Sequence, residues 1–436
     1  MKIVIAGLGT AAFAALLAVK KNSSNAEITI IDKKKFDLQH SCGLPYALEK
    51  KVGLERLEHS INSEGMNVKI LHECEALNIN KKDKKLEYRS LKDGSKSSAE
   101  YDKLLLAAGS EPFFPAVPGL MENSTAISTT GDIRALEECL AKARKAVIIG
   151  AGAVGLETAY ALKKRGLSVA IVEALSCLFP RAIDSDISSQ LEEYIKAQGI
   201  GVFLNSKVDK VEKGKVLLQK GQINTDIIIA AAGVRPGIKL VQDAGLKLSK
   251  FGIAVDKHMR TSAKDIYAAG DCTEATNIIT KKKFESQLAT TAYRQGTIAG
   301  ENITGKRSEY DGSISCFASV IGEKEIASVG LNSHYAEEAG FKLVTGKSIA
   351  ADRPEWFGKQ EKVMVKILAD KKTRKIIGCQ AIGKNASKRI DIVSTSIRAG
   401  MTLQQLGNVE FSYCPAVSQP YDVLHQAVDF ALRKIK

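Results

Sequence analysis

The chain opens on the run Lys2–Ala6, which is apolar and β-branched past its first residue. A run with no polar position alternating through it predicts a strand covered on both faces, as in a parallel sheet. An alanine- and leucine-rich helix is expected from there to about Lys21, and a second strand, Ile28 to Ile31, ends in Asp32. The same order returns in mid-chain. A strand at Ala146–Ile149 leads to a helix ending near Arg165, and then to a strand at Ser168–Val172 that ends in Glu173. The tail carries strand signals at Phe317–Ile321, Val363–Leu368 and Lys375–Ile382, and helical signals at Ala386–Ala399 and Asp422–Lys434. The longest apolar run, Leu8 to Val19, is too short to cross a bilayer and contains Gly9 and Thr10. The N-terminus, one lysine followed by strand, has no signal-peptide layout. A soluble cytoplasmic protein without a membrane partner is the expectation.

The turns after the two leading strands carry the first chemistry. Gly7-Leu8-Gly9-Thr10-Ala11-Ala12 follows the first, and Gly150-Ala151-Gly152-Ala153-Val154-Gly155-Leu156-Glu157 follows the second. Each sits between a strand and a helix, the setting of the dinucleotide fingerprint. Gly7 and Gly150 permit the tight turn. Gly9 and Gly152 let the backbone approach a pyrophosphate held at the helix N-terminus. Gly155 completes the glycine pattern, and Ala12 replaces the third glycine in the first motif. Asp32 stands 25 positions after Gly7 and Glu173 stands 23 after Gly150. Both are placed to accept hydrogen bonds from ribose hydroxyls. A carboxylate at 173 repels the 2′-phosphate of NADPH, so NADH is favoured, with NADPH possible because Arg181 follows. Two fingerprints in one chain make a far stronger signal than either alone.

At 436 residues the chain is too long for a single core and implies two to four domains. Its 44% hydrophobic and 26% charged residues are those of a globular protein. The net charge of +14 attracts anions, dinucleotides among them, but the lysines are dispersed and interleaved with acids. No nucleic-acid partner is expected. The eight cysteines form no C-x-x-C pair and match no zinc spacing, so no metal is expected. Most read as small buried hydrophobes. Cys42 stands apart, because Pro45 after it marks a helix start, and a thiol near a helix N-terminus is favoured as thiolate.

With these motifs in this order, the sequence resembles the FAD-dependent pyridine nucleotide–disulfide oxidoreductases. Leu104–Pro112, with Ala108 and Gly109, is similar to the family segment where the chain leaves the FAD domain. Ala230–Pro236, with Gly233, is similar to the segment that returns it. Asp265–Cys272 resembles the second FAD motif, in which Asp271 would hold the ribityl chain. The resemblance implies an α/β protein with two Rossmann-like dinucleotide-binding domains and a C-terminal α/β dimerisation domain. The FAD domain would be discontinuous, 1–112 and 244–315, with an NAD(P)H domain at 113–243 and the dimerisation domain at 316–436. It implies FAD and NADH as cofactors and a homodimer as the assembly. Gly7, Gly9, Ala12, Asp32, Ser41, Cys42, Ala108, Gly109 and Asp271 would serve FAD. Gly150, Gly152, Gly155, Glu157, Glu173 and Gly233 would serve the nicotinamide dinucleotide.

Disulfide reductases of this family carry two cysteines in C-x-x-x-x-C, but here Ala47 holds the second place. A lone cysteine in Ser41-Cys42-Gly43-Leu44-Pro45-Tyr46 resembles the coenzyme A–disulfide reductase and NADH oxidase branch. That branch cycles one cysteine through a mixed disulfide or a sulfenic acid. Peroxidases and many oxidases of the group carry a histidine where this chain has Thr10, which argues against peroxide as the acceptor. Tyr413-Cys414-Pro415-Ala416-Val417-Ser418 resembles a Tyr-Ala-Pro-Pro segment whose tyrosine reaches the partner subunit's cysteine and protonates the departing thiolate. Tyr413 is the expected acid, and Cys414 beside it is a second thiol of open role. The branch's other tyrosine, in a Tyr-Pro-Gly segment, is absent from Arg353–Gly358. The expected activity is reduction of a disulfide, coenzyme A disulfide or a persulfide or polysulfide, by way of Cys42. The alternatives are an NADH oxidase passing electrons to oxygen through a cysteine sulfenate, and a flavoprotein reductase of a small redox protein.

Overall fold

A computed structural model describes residues 1–63 and 65–435. The chain separates into two compact units. The first combines residues 1–113, 128–133 and 234–313; the second combines 114–127, 134–233 and the chain from 314 onward.

In the first unit, β1 (Lys2–Ala6), α1 (Thr10–Asn22) and β2 (Glu27–Ile31) form the expected βαβ opening. β1 pairs in parallel with β2 from Lys2↔Glu27 to Ala6↔Ile31, and on its other edge with the strand Lys103–Leu106. Strands Ile266–Ala268 and Val68–Leu71 complete a five-stranded parallel sheet. Ile3, Val4 and Ile5 are buried, as an unalternating apolar run requires. The alanines of α1 present a flat face to the helix Ala289–Ile303, which packs on it. A two-stranded ribbon, Ser110–Pro112 with Val234–Pro236, stands where the chain leaves this unit and re-enters it. There the Arg235 guanidinium lies 3.7 Å from the centre of the Phe113 ring.

The second unit repeats the opening with β3 (Lys145–Ile149), α2 (Ala153–Lys164) and β4 (Ser168–Val172). β3 pairs in parallel with β4 and with Ile227–Ala230, and β4 with Gly201–Phe203. The tail builds a five-stranded antiparallel sheet in the order 317–321, 324–330, 376–382, 362–370, 343–351. Every residue of its central strand Ile376–Ile382 is buried. α3 (Ala386–Arg398) packs on the strands at 324–330 and 376–382, and α4 (Val423–Arg433) on those at 343–351 and 362–370. Burying one Ile or Leu side chain of this sheet contributes about 2 kcal/mol. Among the described residues, no helix is long and apolar enough to cross a membrane.

Candidate active site

The first cradle begins where β1 ends. Gly7 has φ +95°, and a Cβ there would run into the carbonyl oxygen of Ala107. Gly9 caps α1 in an extended conformation with no side-chain cap, and the space where its Cβ would stand is open to 4 Å. The unclaimed amides of the first helical turn and this clearance suit a pyrophosphate. Ala12 is fully buried, its methyl part of the core behind the turn. Asp32, also buried, accepts from the Leu8 amide at 2.5 Å through Oδ2 and from the Lys34 amide at 2.7 Å through Oδ1. The Lys34 ammonium adds a bond of 2.6 Å to the same Oδ1 and reaches the Leu8 carbonyl at 3.0 Å. Sequence reasoning missed this lysine. It belongs to the run 33–35, which reads as solvated charge.

At the far end of the same sheet, Asp271 follows the strand Ile266–Ala268. Burial pushes its carboxyl above the usual range, opposed by a 3.0 Å bond from the Ser110 hydroxyl and reinforced by nearby Glu285. Ser110 and Asp271 come from two motifs 161 residues apart, joined here because their strands are neighbours. Gly109 has φ +66° and open space around it, and Ala108 is exposed. The Gly270 amide and the Thr273 hydroxyl both donate to the Gln295 side-chain oxygen, at 2.9 and 3.0 Å, and so fix the turn that carries Asp271. These features fit FAD: a cradle a Cβ would fill, an amide end without a cap, a buried carboxylate at Asp32 and a half-buried one at Asp271.

The second cradle follows the same plan. Gly150 has φ +111°, and a Cβ on it would meet the Ala231 carbonyl oxygen. Gly152 caps α2 with open space about it, and Gly155 leaves no room for a methyl against the Gly150 carbonyl. The buried Glu173 accepts from the amides of Ala151 and Leu175, both at 2.8 Å. Gly233 has φ +108° and is unobstructed. Glu157, in contrast, does not line this turn with a free carboxylate. Its carboxyl accepts from the Ser319 hydroxyl at 2.6 Å, and burial raises its pKa.

Cys42 lies in a 3-10 turn, Ser41–Gly43, that runs into the short helix Leu44–Leu48, with Pro45 in its first turn. That helix has five residues, so the dipole at its N-terminus is weaker than the sequence suggests. Leu44, Pro45, Ala47 and Leu48 are buried while Ser41 and Cys42 are exposed. The turn is thus anchored by its apolar side and presents its thiol outward. Ser41 accepts from the Gln39 amide nitrogen at 2.7 Å, and the same nitrogen donates to the Ser128 carbonyl at 2.8 Å. The His40 ring meets His59 edge-on at 4.6 Å.

Burial raises the thiols of Cys74, Cys177 and Cys316, pushes Cys272 up to about 11, and raises Cys379 as well. These five are poor nucleophiles near neutrality. Cys42, Cys139 and Cys414 are exposed. Tyr413 is exposed on the irregular segment before α4. Among the described residues no cluster suited to a metal ion occurs.

With this geometry in hand, the chain was compared with known proteins. Residues 1–296 match the family described as pyridine nucleotide-disulphide oxidoreductase, and residues 316–422 match its dimerisation domain. An NADH oxidase of Methanocaldococcus jannaschii is 33% identical over 447 residues, covering 100% of this chain and 99% of the relative. A coenzyme A-dependent NAD(P)H sulfur oxidoreductase of Pyrococcus furiosus is 27% identical over 436 residues, with 97% of each chain covered. The structure of an NAD-dependent persulfide reductase from A. fulgidus superposes with a TM-score of 0.96 at 30% identity, covering 100% of this chain and 83% of that one.

Proposed function

The chain belongs to the pyridine nucleotide–disulphide oxidoreductases and is an FAD-dependent NAD(P)H oxidoreductase, and we propose that its electrons leave through Cys42 to a sulfur–sulfur bond. Coenzyme A disulfide, or a related persulfide or polysulfide, is the acceptor this reading favours. The observation that carries it is the exposed thiol of Cys42 on an anchored turn, in a motif whose second cysteine is replaced by Ala47. The relatives named for coenzyme A and for persulfide match along nearly the whole chain, which supports the same acceptor class.

FAD, when bound, carries two electrons from the nicotinamide to sulfur. The chain's own residues do the rest. Gly7, Gly9 and the α1 amides hold the pyrophosphate, Asp32 the ribose, and Asp271 with Ser110 the ribityl hydroxyls. Glu173 accepts from the ribose hydroxyls of the second nucleotide and disfavours a 2′-phosphate, so NADH is the better reductant. The Cys42 thiolate attacks the disulfide, forming a mixed disulfide and expelling one thiolate. Tyr413 of a second subunit protonates that leaving group. Two electrons and a proton then cleave the mixed disulfide, releasing the second thiol and restoring the Cys42 thiolate. Overall, one NADH and one proton convert one disulfide into two thiols. The homodimer and the division into an FAD domain, an NAD(P)H domain at 113–243 and a dimerisation domain from 316 are parts of this proposal. A cytoplasmic setting is consistent with NADH as reductant and with thiol chemistry at Cys42.

A second reading is favoured by the relative named NADH oxidase, in which oxygen is the acceptor and Cys42 passes through a sulfenate. Steady-state NADH consumption with coenzyme A disulfide under anaerobic conditions, set against consumption with oxygen alone, separates the two. Cys42→Ser abolishes disulfide reduction while reduction of the bound flavin by NADH persists. Wild-type disulfide turnover in that variant would refute the role of Cys42.

A further inference from the structure

The segment that carries Tyr413 and Cys414 has no regular secondary structure, yet it is tied down from below. His425 on α4 is 8% exposed, and its Nε2 lies 2.9 Å from the Val409 carbonyl. A carbonyl can only accept, so Nε2 carries a hydrogen and donates it. Nδ1 is buried without a hydrogen-bond partner. The ring also meets aromatic side chains from the two ends of the segment. Phe411 lies 4.1 Å away at 33°, and Tyr421 lies 5.7 Å away, nearly parallel at 14°. Residues 411 and 421 are thus both drawn to one imidazole, and the chain between them closes into a loop with Tyr413 exposed two residues beyond Phe411.

Two further ties stiffen the loop. The buried Ser418 donates its hydroxyl to the Ser412 carbonyl at 3.2 Å, and the amides of Val417 and Ser418 bond the Cys414 carbonyl at 2.8 and 3.0 Å. Beyond the loop, Asp422 caps α4 at the Leu424 amide and is held by a two-pronged, buried ion pair with Arg389 at 2.9 and 2.7 Å. The Ser418 hydroxyl ties the leaving half of the loop to its entering half at Ser412, and Asp422 acts just outside the loop. The imidazole contacts the entering chain at Val409 and Phe411 and the leaving chain at Tyr421, further out along both arms than the Ser418 tie.

We propose that His425 is a positioning residue for Tyr413. It pins both ends of the 411–421 loop so that the phenol is presented in one place. This rests on the reading of Tyr413 as the proton donor. A proton donor that wanders by an ångström loses much of its rate advantage, so the pin acts on thiol release and leaves reduction of the flavin untouched.

The test uses the FAD-loaded enzyme in three forms: wild type, His425→Leu, and His425→Gln, whose side-chain amide can still donate to Val409. Hydrogen–deuterium exchange is read at residues 409–421. Turnover with coenzyme A disulfide and reduction of the flavin by NADH are measured separately. In His425→Leu, exchange at Val417 and Ser418 rises, disulfide turnover falls about tenfold, and flavin reduction is unchanged; His425→Gln recovers most of both losses. Should His425→Leu not fold, Phe411→Leu removes one grip on the ring and is expected to show the same pattern, weaker. Unchanged exchange in the loop overturns the proposal, as does a loosened loop with wild-type turnover. Tyr413→Phe serves as the control for the underlying reading. If it is neutral, the proton-donor role fails, while the exchange measurement still decides whether His425 pins the loop. If both roles hold, the losses from His425→Leu and Tyr413→Phe do not add, and additive losses count against the pin.

Discussion

The two dinucleotide cradles are the same device built twice, and their differences are more instructive than their likeness. In each, a glycine at the strand end approaches the backbone of a neighbouring strand's end, at Ala107 in one and Ala231 in the other. In each, the carboxylate after the second strand is held by two amides: those of Leu8 and Lys34 on Asp32, and those of Ala151 and Leu175 on Glu173. Two positions then diverge. The first cradle tolerates Ala12 because its methyl joins the core behind the turn, whereas Gly155 is backed by the Gly150 carbonyl and has no room for one. The residue two places after the carboxylate is Lys34 in the first cradle and Leu175 in the second. One lays an ammonium on the carboxylate, while the other leaves it to the backbone and is itself exposed. The two turns therefore share one backbone plan, and this one side chain sets the charge beside each carboxylate.

The comparison breaks most sharply at the turn glycines. Gly7→Ala forces a methyl into the Ala107 carbonyl at a positive φ, and the purified protein is expected to lack the flavin's absorbance. Gly150→Ala should keep the flavin but resist reduction by NADH in stopped-flow measurements. A strain of about 3 kcal/mol corresponds to a hundredfold or greater loss of affinity in each case. Loss of flavin from both variants, or from neither, would mean that the two cradles do not divide the cofactors as assigned. The next effect concerns the second carboxylate. Glu173→Ala combined with Leu175→Arg removes the acceptor and adds a cation, giving the second cradle the positive charge of the first. The ratio of NADH to NADPH kcat/KM is expected to fall by a factor of about 10 to 100. An unchanged ratio would show that Glu173 does not read the ribose. The smallest effect lies at Lys34. Lys34→Leu gives the first cradle the surroundings of the second and frees Asp32 for the ribose. Flavin fluorescence titration of the apoprotein should show FAD binding tightened by up to about fivefold, the scale of one partly exposed ion pair. Weaker binding would instead mean that the ammonium stays and helps to hold the nucleotide.

Both cradles were legible because their demands are local. A tight turn between strand and helix needs glycine, and the carboxylate falls at the end of the next strand, so residue types and spacing carry the information. The tail was read less completely. Phe317–Ile321, the two later strands and the two long helices were expected, but Lys324–Gly330 and Leu343–Ala351 were not. The second of these alternates buried and accessible positions and has Gly346 at its middle, where the chain passes close to the α4 backbone at Ala427. A glycine inside a strand weakens the strand signal, and only the packing helix explains it. Cys42 was singled out on the strength of a helix dipole; the thiol is exposed, but a helix of five residues supplies that dipole only weakly.

What the amino-acid order determined alone was everything encoded within about thirty residues: the two βαβ openings, their carboxylates, and a cysteine without its usual partner. What only the tertiary structure decided was every pairing across the chain. Lys34 lies on Asp32 rather than in solvent, Ser110 meets Asp271, Glu157 turns to Ser319, and His425 grips both ends of the Tyr413 loop. A local turn depends on backbone sterics, which residue type reports directly. A long-range contact depends on which strands become neighbours and which side chains they bury, and that is settled only when the whole core packs.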